Sequence, residues 1–351
     1  MMRYRQCIIL KGDTVWCRNT AIALLADFAD DRVSWIADVA AENVFSLKPN
    51  QAQALLGKEM DVIVFDGCDQ FNPDAFGAVA GTVRAGGVLV LLLSADEPQL
   101  LWLRRLNQIL LQSPVIQIIQ AGDPLPTLTV PDREIDKFDI VKPCYTLDQT
   151  QAVSAILKVV HGHRRRPLVL SSDRGRGKSA ALGIAAAQLI EEGRQSIIVT
   201  APSLATVATV FEYASRCLPD ADISRGWIQK GDCFIKFIAP DILAYSDEKA
   251  DLVLVDEAAA ISAPLLEKIL DKFSRLVFAT TLHGYEGTGR GFAVRFQQVL
   301  DKKTPDWRHY RMEIPIRWLA NDSLEAFTFK ALLLDASPID DGAIINGAGI
   351  Q

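Results

Sequence analysis

The stretch that most constrains this chain runs Leu168-Val-Leu-Ser-Ser-Asp-Arg-Gly-Arg-Gly-Lys-Ser179. An apolar run gives way to a turn with two glycines, and Lys178 and Ser179 then open an Ala-rich helical pattern that runs to Glu191. A strand that turns at glycine directly into a helix gathers the helix's unpaired N–H groups at one point, where the positive end of the helix dipole also lies. Such a turn is built to hold phosphate. Gly175 and Gly177 let the backbone approach closely. Lys178 adds a point charge for the terminal phosphates, and the Ser179 hydroxyl is a hard-oxygen ligand suited to Mg²⁺. One departure stands out: Ser172 occupies the place where the usual pattern has its first glycine. Residues 161–179 carry six Lys/Arg against one Asp, a local excess of five positive charges in a chain whose net charge is −6.

A second signal is Asp251-Leu-Val-Leu-Val-Asp-Glu257. Four apolar residues form a buried strand that ends in two carboxylates. Alone, the pair would read as an acidic helix cap. Paired with the glycine turn 78 residues after Lys178, it reads as a magnesium carboxylate, Asp256, followed by Glu257, placed to polarise an attacking water. A third is Thr280-Thr-Leu-His-Gly-Tyr-Glu-Gly-Thr-Gly-Arg-Gly-Phe292, where the two threonines end a strand and a glycine-rich loop presents Arg290. A guanidinium there either neutralises charge on a transferring phosphoryl group or decorates a surface loop; chemistry alone does not separate the two. A fourth is Gln149, 29 residues before Lys178. Its amide suits the N6/N7 edge of adenine, and Thr146-Leu-Asp-Gln149 also has capping-box spacing. The basic run His161-Gly-His-Arg-Arg-Arg166 reads first as a solvated turn, and Pro315-Ile-Arg-Trp318 as packing; nucleic-acid contact is the alternative for each.

The rest of the chain supplies the frame. Apolar runs Cys7–Leu10, Val33–Ile36, Val62–Phe65 and Val88–Leu93 alternate with helical patterns Thr20–Phe28, Gln51–Leu56, Asp74–Val83 and Gln99–Leu111. Alternation of this kind implies a parallel sheet with crossover helices. This half holds no phosphate loop, and Asp66, at a strand end, reads as a turn or cap residue. The predicted organisation is α/β throughout: a Rossmann-like parallel-sheet domain over 1–118, a proline-rich connector over 119–145 with short edge strands at Val115–Ile119 and Leu128–Val130, a RecA-like phosphate-loop domain over 146–335, and a loose tail over 336–351. In the second domain the expected strands are Pro167–Leu170, Ser196–Thr200, Cys233–Ile238, Leu252–Val255 and Leu276–Ala279, with helices Lys178–Glu191, Leu204–Arg216 and Pro264–Phe273. The 351 residues are 49% hydrophobic and 23% charged, which excludes a disordered chain. The six cysteines form no CxxC pair, which disfavours zinc and fits free thiols in a reducing cytoplasm. The longest strongly apolar run, Gly87–Leu93, falls far short of the ~20 residues of a membrane span, so no membrane role is expected.

Taken in order, Arg174-Gly-Arg-Gly-Lys-Ser179, Val255-Asp-Glu-Ala-Ala-Ala-Ile261, Gly284-Tyr-Glu-Gly-Thr-Gly-Arg-Gly-Phe292 and Pro315-Ile-Arg-Trp318 closely resemble the bacterial tRNA(Met) cytidine acetyltransferase family. The phosphate loop is generic; the glycine-rich loop joined to PIRW is specific. The resemblance covers residues 1–335, an N-terminal Rossmann-like domain and a helicase-like ATPase module. In that family the module precedes an acetyltransferase domain and an RNA-binding tail, and the whole enzyme acetylates N4 of the wobble cytidine of elongator methionine tRNA with acetyl-CoA and ATP hydrolysis. The resemblance implies ATP contacts by Gln149, by Ser171, Ser172, Asp173, Arg174, Gly175, Arg176, Gly177, Lys178, Ser179 and Ala180, and by Arg290. Its cofactors would be ATP and Mg²⁺, its partner the tRNA. No acetyl-CoA pyrophosphate loop is found, so acetyl-CoA enters only if an acetyltransferase domain is supplied elsewhere, for instance by a separate chain. The catalytic set expected is Lys178, Glu257 and Arg290, with Ser179 and Asp256 on the metal. The rival reading is a nucleotide-stabilised RNA- or partner-binding scaffold without turnover. A processive helicase ranks lowest, because too little chain follows Phe292 for a second RecA-like lobe.

Overall fold

A computed structural model describes residues 4–38, 46–55, 58–96, 100–112, 116–131, 139, 141–281 and 288–334, with the side chains of 30, 53, 111 and 288–295 left aside. The expected tail over 336–351 lies outside the described residues. In chain order the elements are β1 (Gln6–Gly12), α1 (Thr14–Leu24), β2 (Val33–Ile36), β3 (Ser46–Leu47), β4 (Met60–Asp66), α2 (Pro73–Ala80), β5 (Val83–Ser94), α3 (Leu101–Leu111) and β6 (Gln117–Ile119). There follow α4 (Leu147–His161), β7 (Leu168–Ser172), α5 (Lys178–Glu191), β8 (Ser196–Thr200), α6 (Ala208–Cys217), β9 (Asp222–Ser224), β10 (Trp227–Lys230), β11 (Cys233–Phe237), α7 (Pro240–Tyr245), β12 (Leu252–Val255), α8 (Ala263–Lys272), β13 (Leu276–Thr281), α9 (Thr288–Lys303), β14 (Arg308–Met312) and α10 (Ser323–Leu332).

Two α/β units result. The first is a six-stranded parallel sheet in the order β3-β2-β4-β5-β1-β6. Its central strand β5 is buried along nearly its whole length, as an unbroken apolar run requires when helices cover both faces. Local chemistry moves two helices from their expected places. Asp13 accepts from the Trp16 N–H at 2.9 Å and so starts α1 at Thr14, well before Thr20. Asn72 caps α2 in the same way, and α2 stops at Ala80, three residues before Val83, which belongs to β5. Of the helix expected over Gln51–Leu56, residues 51–55 fall in a 3₁₀ segment, Pro49–Leu55, and Leu56 lies outside the described residues. Leu128 and Val130 form no strand, although both pack on the sheet's outer core. Asp66 ends β4 and holds the turn that follows: it accepts from Cys68 N–H at 3.1 Å and pairs with Arg18, whose Nε lies 2.6 Å away.

The second unit is an eight-stranded sheet, β14-β7-β13-β12-β8-β11-β10-β9. It is parallel from β14 to β11, and an antiparallel hairpin, β9–β10, is added beyond. With β11 set aside, β7, β8, β12, β13 and β14, numbered in chain order, stand in the order five-one-four-three-two, the RecA-like arrangement. Helix α5 lies between α4 and α6, and eleven of its residues are buried. Its alanines and Gly183 are small because the neighbouring backbone lies so close: a Cβ on Gly183 would sit 2.3 Å from the Val210 carbonyl oxygen.

One element crosses between the units. Helix α10, within the span 146–335 by sequence, packs on the first unit: Leu324, Phe327 and Ala331 join the core around Phe76 and Leu106. Phe327 and Phe76 meet edge-on at 6.2 Å. All six cysteines are free thiols. Among the described residues no helix is long and apolar enough to cross a membrane.

Candidate nucleotide site

In a parallel sheet all strands end on one edge, and loops at that edge can face each other. Because β13 lies between β7 and β12, the glycine turn after β7 and the carboxylates after β12 come together there. Gly175 and Gly177 have φ of +76° and +81°, left-handed conformations that glycine adopts without strain. Gly177 stands at the N-cap of α5, and no side chain caps the helix. Its first N–H groups are thus available to an anion.

The Ser179 hydroxyl donates to Asp256 Oδ2 at 2.7 Å. The other oxygen, Asp256 Oδ1, accepts from the Glu257 N–H at 3.0 Å. Asp256 is fully buried, and burial, reinforced by the negative charge of Glu257, pushes its carboxyl up to about 6; Lys178 and the Ser179 hydrogen bond pull the other way. Lys178 Nζ donates to Thr281 Oγ1 at 3.0 Å. Thr281 Oγ1 lies 3.3 and 3.5 Å from the two Glu257 carboxylate oxygens and donates to them. Lys178, Thr281 and Glu257 therefore form one chain of polar contacts from the phosphate loop to the second carboxylate. Glu257 itself sits at φ +46°, ψ +48°, a left-handed conformation unusual for a side chain of this size. Strain of this kind gathers at functional sites. Two further hydroxyls, Thr200 Oγ1 and Thr280 Oγ1, are buried on strand ends of the same edge with no protein partner.

Gln149 is buried, and both ends of its amide are engaged by backbone: Oε1 accepts from Tyr145 N–H at 2.8 Å and Nε2 donates to the Gly177 carbonyl at 3.2 Å. Thr146 caps α4 by accepting from Gln149 N–H at 3.1 Å, so the cap positions the side chain that in turn straps the loop. Ser171 and Ser172 are buried at the strand end; Ser171 Oγ bonds His309 Nε2 at 2.7 Å and Ser172 Oγ donates to the Asp173 carbonyl at 2.8 Å. The Arg176 side chain pairs with Glu325 and donates to the Arg174 carbonyl at 2.7 Å, with Asp173 3.9 Å away. Ala180 is buried in the first turn of α5. The segment 282–287 and the side chain of Arg290 lie outside the described residues; Arg290 belongs to α9 by backbone. The basic run 161–166 precedes β7, at the opposite end of the strand, where His161 pairs with Glu192 and Arg166 with Asp306. Sequence reading missed Asp148, whose carboxylate accepts from Glu313 N–H at 2.6 Å and Ile314 N–H at 3.0 Å; its only signal is an acidic residue in the first turn of α4.

The donor set fits the groups the sequence calls for. A hydroxyl and a carboxylate 2.7 Å apart are hard oxygens of the kind Mg²⁺ takes, with the remaining positions left to water and phosphate. Among the described residues no group of three or more His, Cys, Asp or Glu is placed to hold a metal ion.

A RecA-like sheet with a phosphate loop facing an acidic pair defines a helicase-like ATPase fold. Residues 169–335 match the family model "RNA cytidine acetyltransferase NAT10/TcmA, helicase domain", and residues 1–119 match "tRNA(Met) cytidine acetyltransferase TmcA, N-terminal". The chain belongs to the tRNA(Met) cytidine acetyltransferase TmcA family, over the N-terminal and helicase portions. It is 45% identical to the TmcA of Nitrosococcus halophilus, covering 97% of this chain and 50% of the relative. It is 38% identical to that of Vibrio cholerae, covering 93% and 45%, and 32% identical to that of Haloferax volcanii, covering 95% and 50%. The chain thus spans about half the length of these curated relatives. Among solved structures, the large terminase of a thermophilic bacteriophage aligns over 48% of this chain and 45% of its own, at 14% identity and a TM-score of 0.36.

Proposed function

We propose that this chain is the ATP-binding and ATP-hydrolysing module of a tRNA(Met) cytidine acetyltransferase-like protein of the cytoplasm. The observation that carries the reading is the meeting of Ser179 with Asp256 at 2.7 Å while Lys178 and Glu257 converge on Thr281. In this reading the α5 N-terminus and Lys178 bind the phosphates, and Ser179 and Asp256 hold Mg²⁺. Bound there, the ion supplies charge neutralisation on the transferring phosphoryl group. Glu257 orients the attacking water, and Thr281 keeps its carboxylate in register with Lys178. Arg290 is assigned charge balance on the reacting phosphoryl group. Gln149 holds the loop through Tyr145 and Gly177, and the adenine contact assigned to it requires its buried amide to be uncovered when nucleotide binds. Elongator methionine tRNA is the partner, and acetyl transfer from acetyl-CoA is assigned to a part of the relatives beyond the half matched here, in the same polypeptide or a separate acetyltransferase chain.

The test is phosphate release and nucleotide binding in Lys178→Ala and Glu257→Gln, with and without tRNA. Loss of turnover in both, with binding kept in Glu257→Gln, supports the reading. Nucleotide binding without turnover above the Glu257→Gln level would instead favour a scaffold. Unchanged turnover in both variants rejects the site.

A further inference from the structure

Pro315-Ile-Arg-Trp318 is no platform for a nucleic-acid base: Trp318 is buried, and its indole is covered by the Arg5 guanidinium at 3.7 Å. The segment is a splice between the phosphate loop and the first unit. On the loop side, Ile316 N–H donates to the Gly175 carbonyl at 2.8 Å, and Arg176 Nε donates to the Glu313 carbonyl at 3.2 Å. A Cβ on Gly175 would sit 2.7 Å from the Trp318 ring, and one on Gly177 would sit 2.8 Å from Ile316. The two left-handed glycines thus rest their backs on this segment. Glu325, at the start of α10, then joins both partners: it pairs with Arg176 and accepts from Trp318 Nε1 at 3.2 Å.

On the far side, Asp322 caps α10 by accepting from Glu325 N–H at 3.0 Å. The same carboxylate grips Arg5 at 2.7 and 3.0 Å through its guanidinium and at 3.0 Å through its backbone N–H. Arg5 leads into β1 and also donates to the Ala80 carbonyl at 2.8 Å at the end of α2. Arg5 and Asp322 are almost wholly buried, so neither can move without stranding a charge. Every contact from Gly175 to Arg5 is direct, and packed interiors shift between discrete arrangements instead of deforming freely.

We infer that the turn 313–318 and the start of α10 couple the phosphate loop to the first unit, with Trp318, Glu325 and Arg5 as positioning residues for the loop. The inference rests on the nucleotide reading of that loop. Coupling is reciprocal: if seating of the first unit steadies the loop, nucleotide on the loop must steady that seating by the same factor. The experiment is hydrogen exchange of the wild-type chain with and without Mg-ATP and Mg-ADP, together with nucleotide affinity of Arg5→Met and Glu325→Gln by calorimetry. Expected are added protection in 5–12 and 322–332 as well as in the loop, and a nucleotide Kd raised at least about fivefold in each folded variant, although neither side chain is assigned a nucleotide contact. A merely structural role would lower Tm and leave Kd alone. Should Arg5→Met fail to fold, Glu325→Gln and the wild-type exchange decide. Wild-type binding with unchanged Kd in the folded variants, or protection confined to the loop, overturns the coupling and leaves the proposed function standing; a wild-type chain that binds no nucleotide overturns both.

Discussion

Replacing Asp256 with asparagine sets stability against ligand binding. The Asp256 carboxyl is raised from 3.8 to about 6, chiefly by burial. For an acid whose value is higher in the fold than in the unfolded chain, ionisation opposes folding. The penalty is absent below about pH 3.8, grows between there and about pH 6, and is complete above. A rise from 3.8 to about 6 corresponds to about 3 kcal/mol. Asparagine removes the charge but keeps the shape; the Glu257 N–H retains an acceptor, and the Ser179 hydroxyl can rotate to accept from the new amide. Asp256→Asn should therefore raise the Tm of the nucleotide-free protein at pH 7.5 by roughly 6 °C, taking ~2 °C per kcal/mol for a domain of this size. At pH 4 the gain should nearly vanish. The same variant should lose Mg²⁺-dependent stabilisation by nucleotide, and Mg-nucleotide affinity of the unaltered protein should weaken as pH falls below about 6, where Asp256 takes up a proton. Scanning fluorimetry at both pH values, with and without Mg-ATP, reads all three. A Tm that drops at pH 7.5, or a gain equal at pH 4 and pH 7.5, refutes the account of a carboxylate held charged against its surroundings.

Gly183→Ala gains ~1 kcal/mol of helix propensity yet must part α5 from the Val210 carbonyl, and a net loss of roughly 2 kcal/mol is expected in denaturant melts. Asp148→Ala removes the acceptor shared by the Glu313 and Ile314 N–H groups, while the Tyr310 hydroxyl keeps Gln151 Oε1 at 2.9 Å; about 1–2 kcal/mol should be lost, with faster exchange of those amides. Thr281→Val removes the hydroxyl shared by Lys178 and Glu257 at little change in volume. Phosphate release should fall by about tenfold or more with nucleotide Kd nearly unchanged, and a Kd effect without a rate effect would place Thr281 in binding alone.

The elements legible in sequence are those whose signal is local. The run 168–179 declares strand, glycine turn and helix in twelve consecutive residues, and β12 announces itself by four apolar residues and two acids. Their meeting was legible too, because the wind of a parallel sheet fixes which edge the turns occupy. What sequence could not supply is long-range. Arg5 and Asp322 stand 317 positions apart, and nothing local to either names the other. Helix α10 carries an ordinary amphipathic pattern, so its choice of the first unit's core is visible only in three dimensions. Gln149 shows both outcomes at once: its spacing from Thr146 announced the cap, while its grip on Gly177 needed the fold. The antiparallel β9–β10 hairpin went unread because Asp222–Ser224 is only three residues long and exposed, with a single apolar residue, Ile223.

That hairpin bears on how the molecule behaves in a crowd. A sheet ends in a row of unsatisfied N–H and C=O groups that invite a foreign strand. On one margin of the eight-stranded sheet stands β9, three exposed residues long with Asp222 among them; on the other stands β14, with Arg308 and Arg311 exposed. An intruding strand would meet brevity and a negative charge on one side and two arginines on the other, so the protein should stay dispersed at concentrations where a bare apolar margin would seed fibrils.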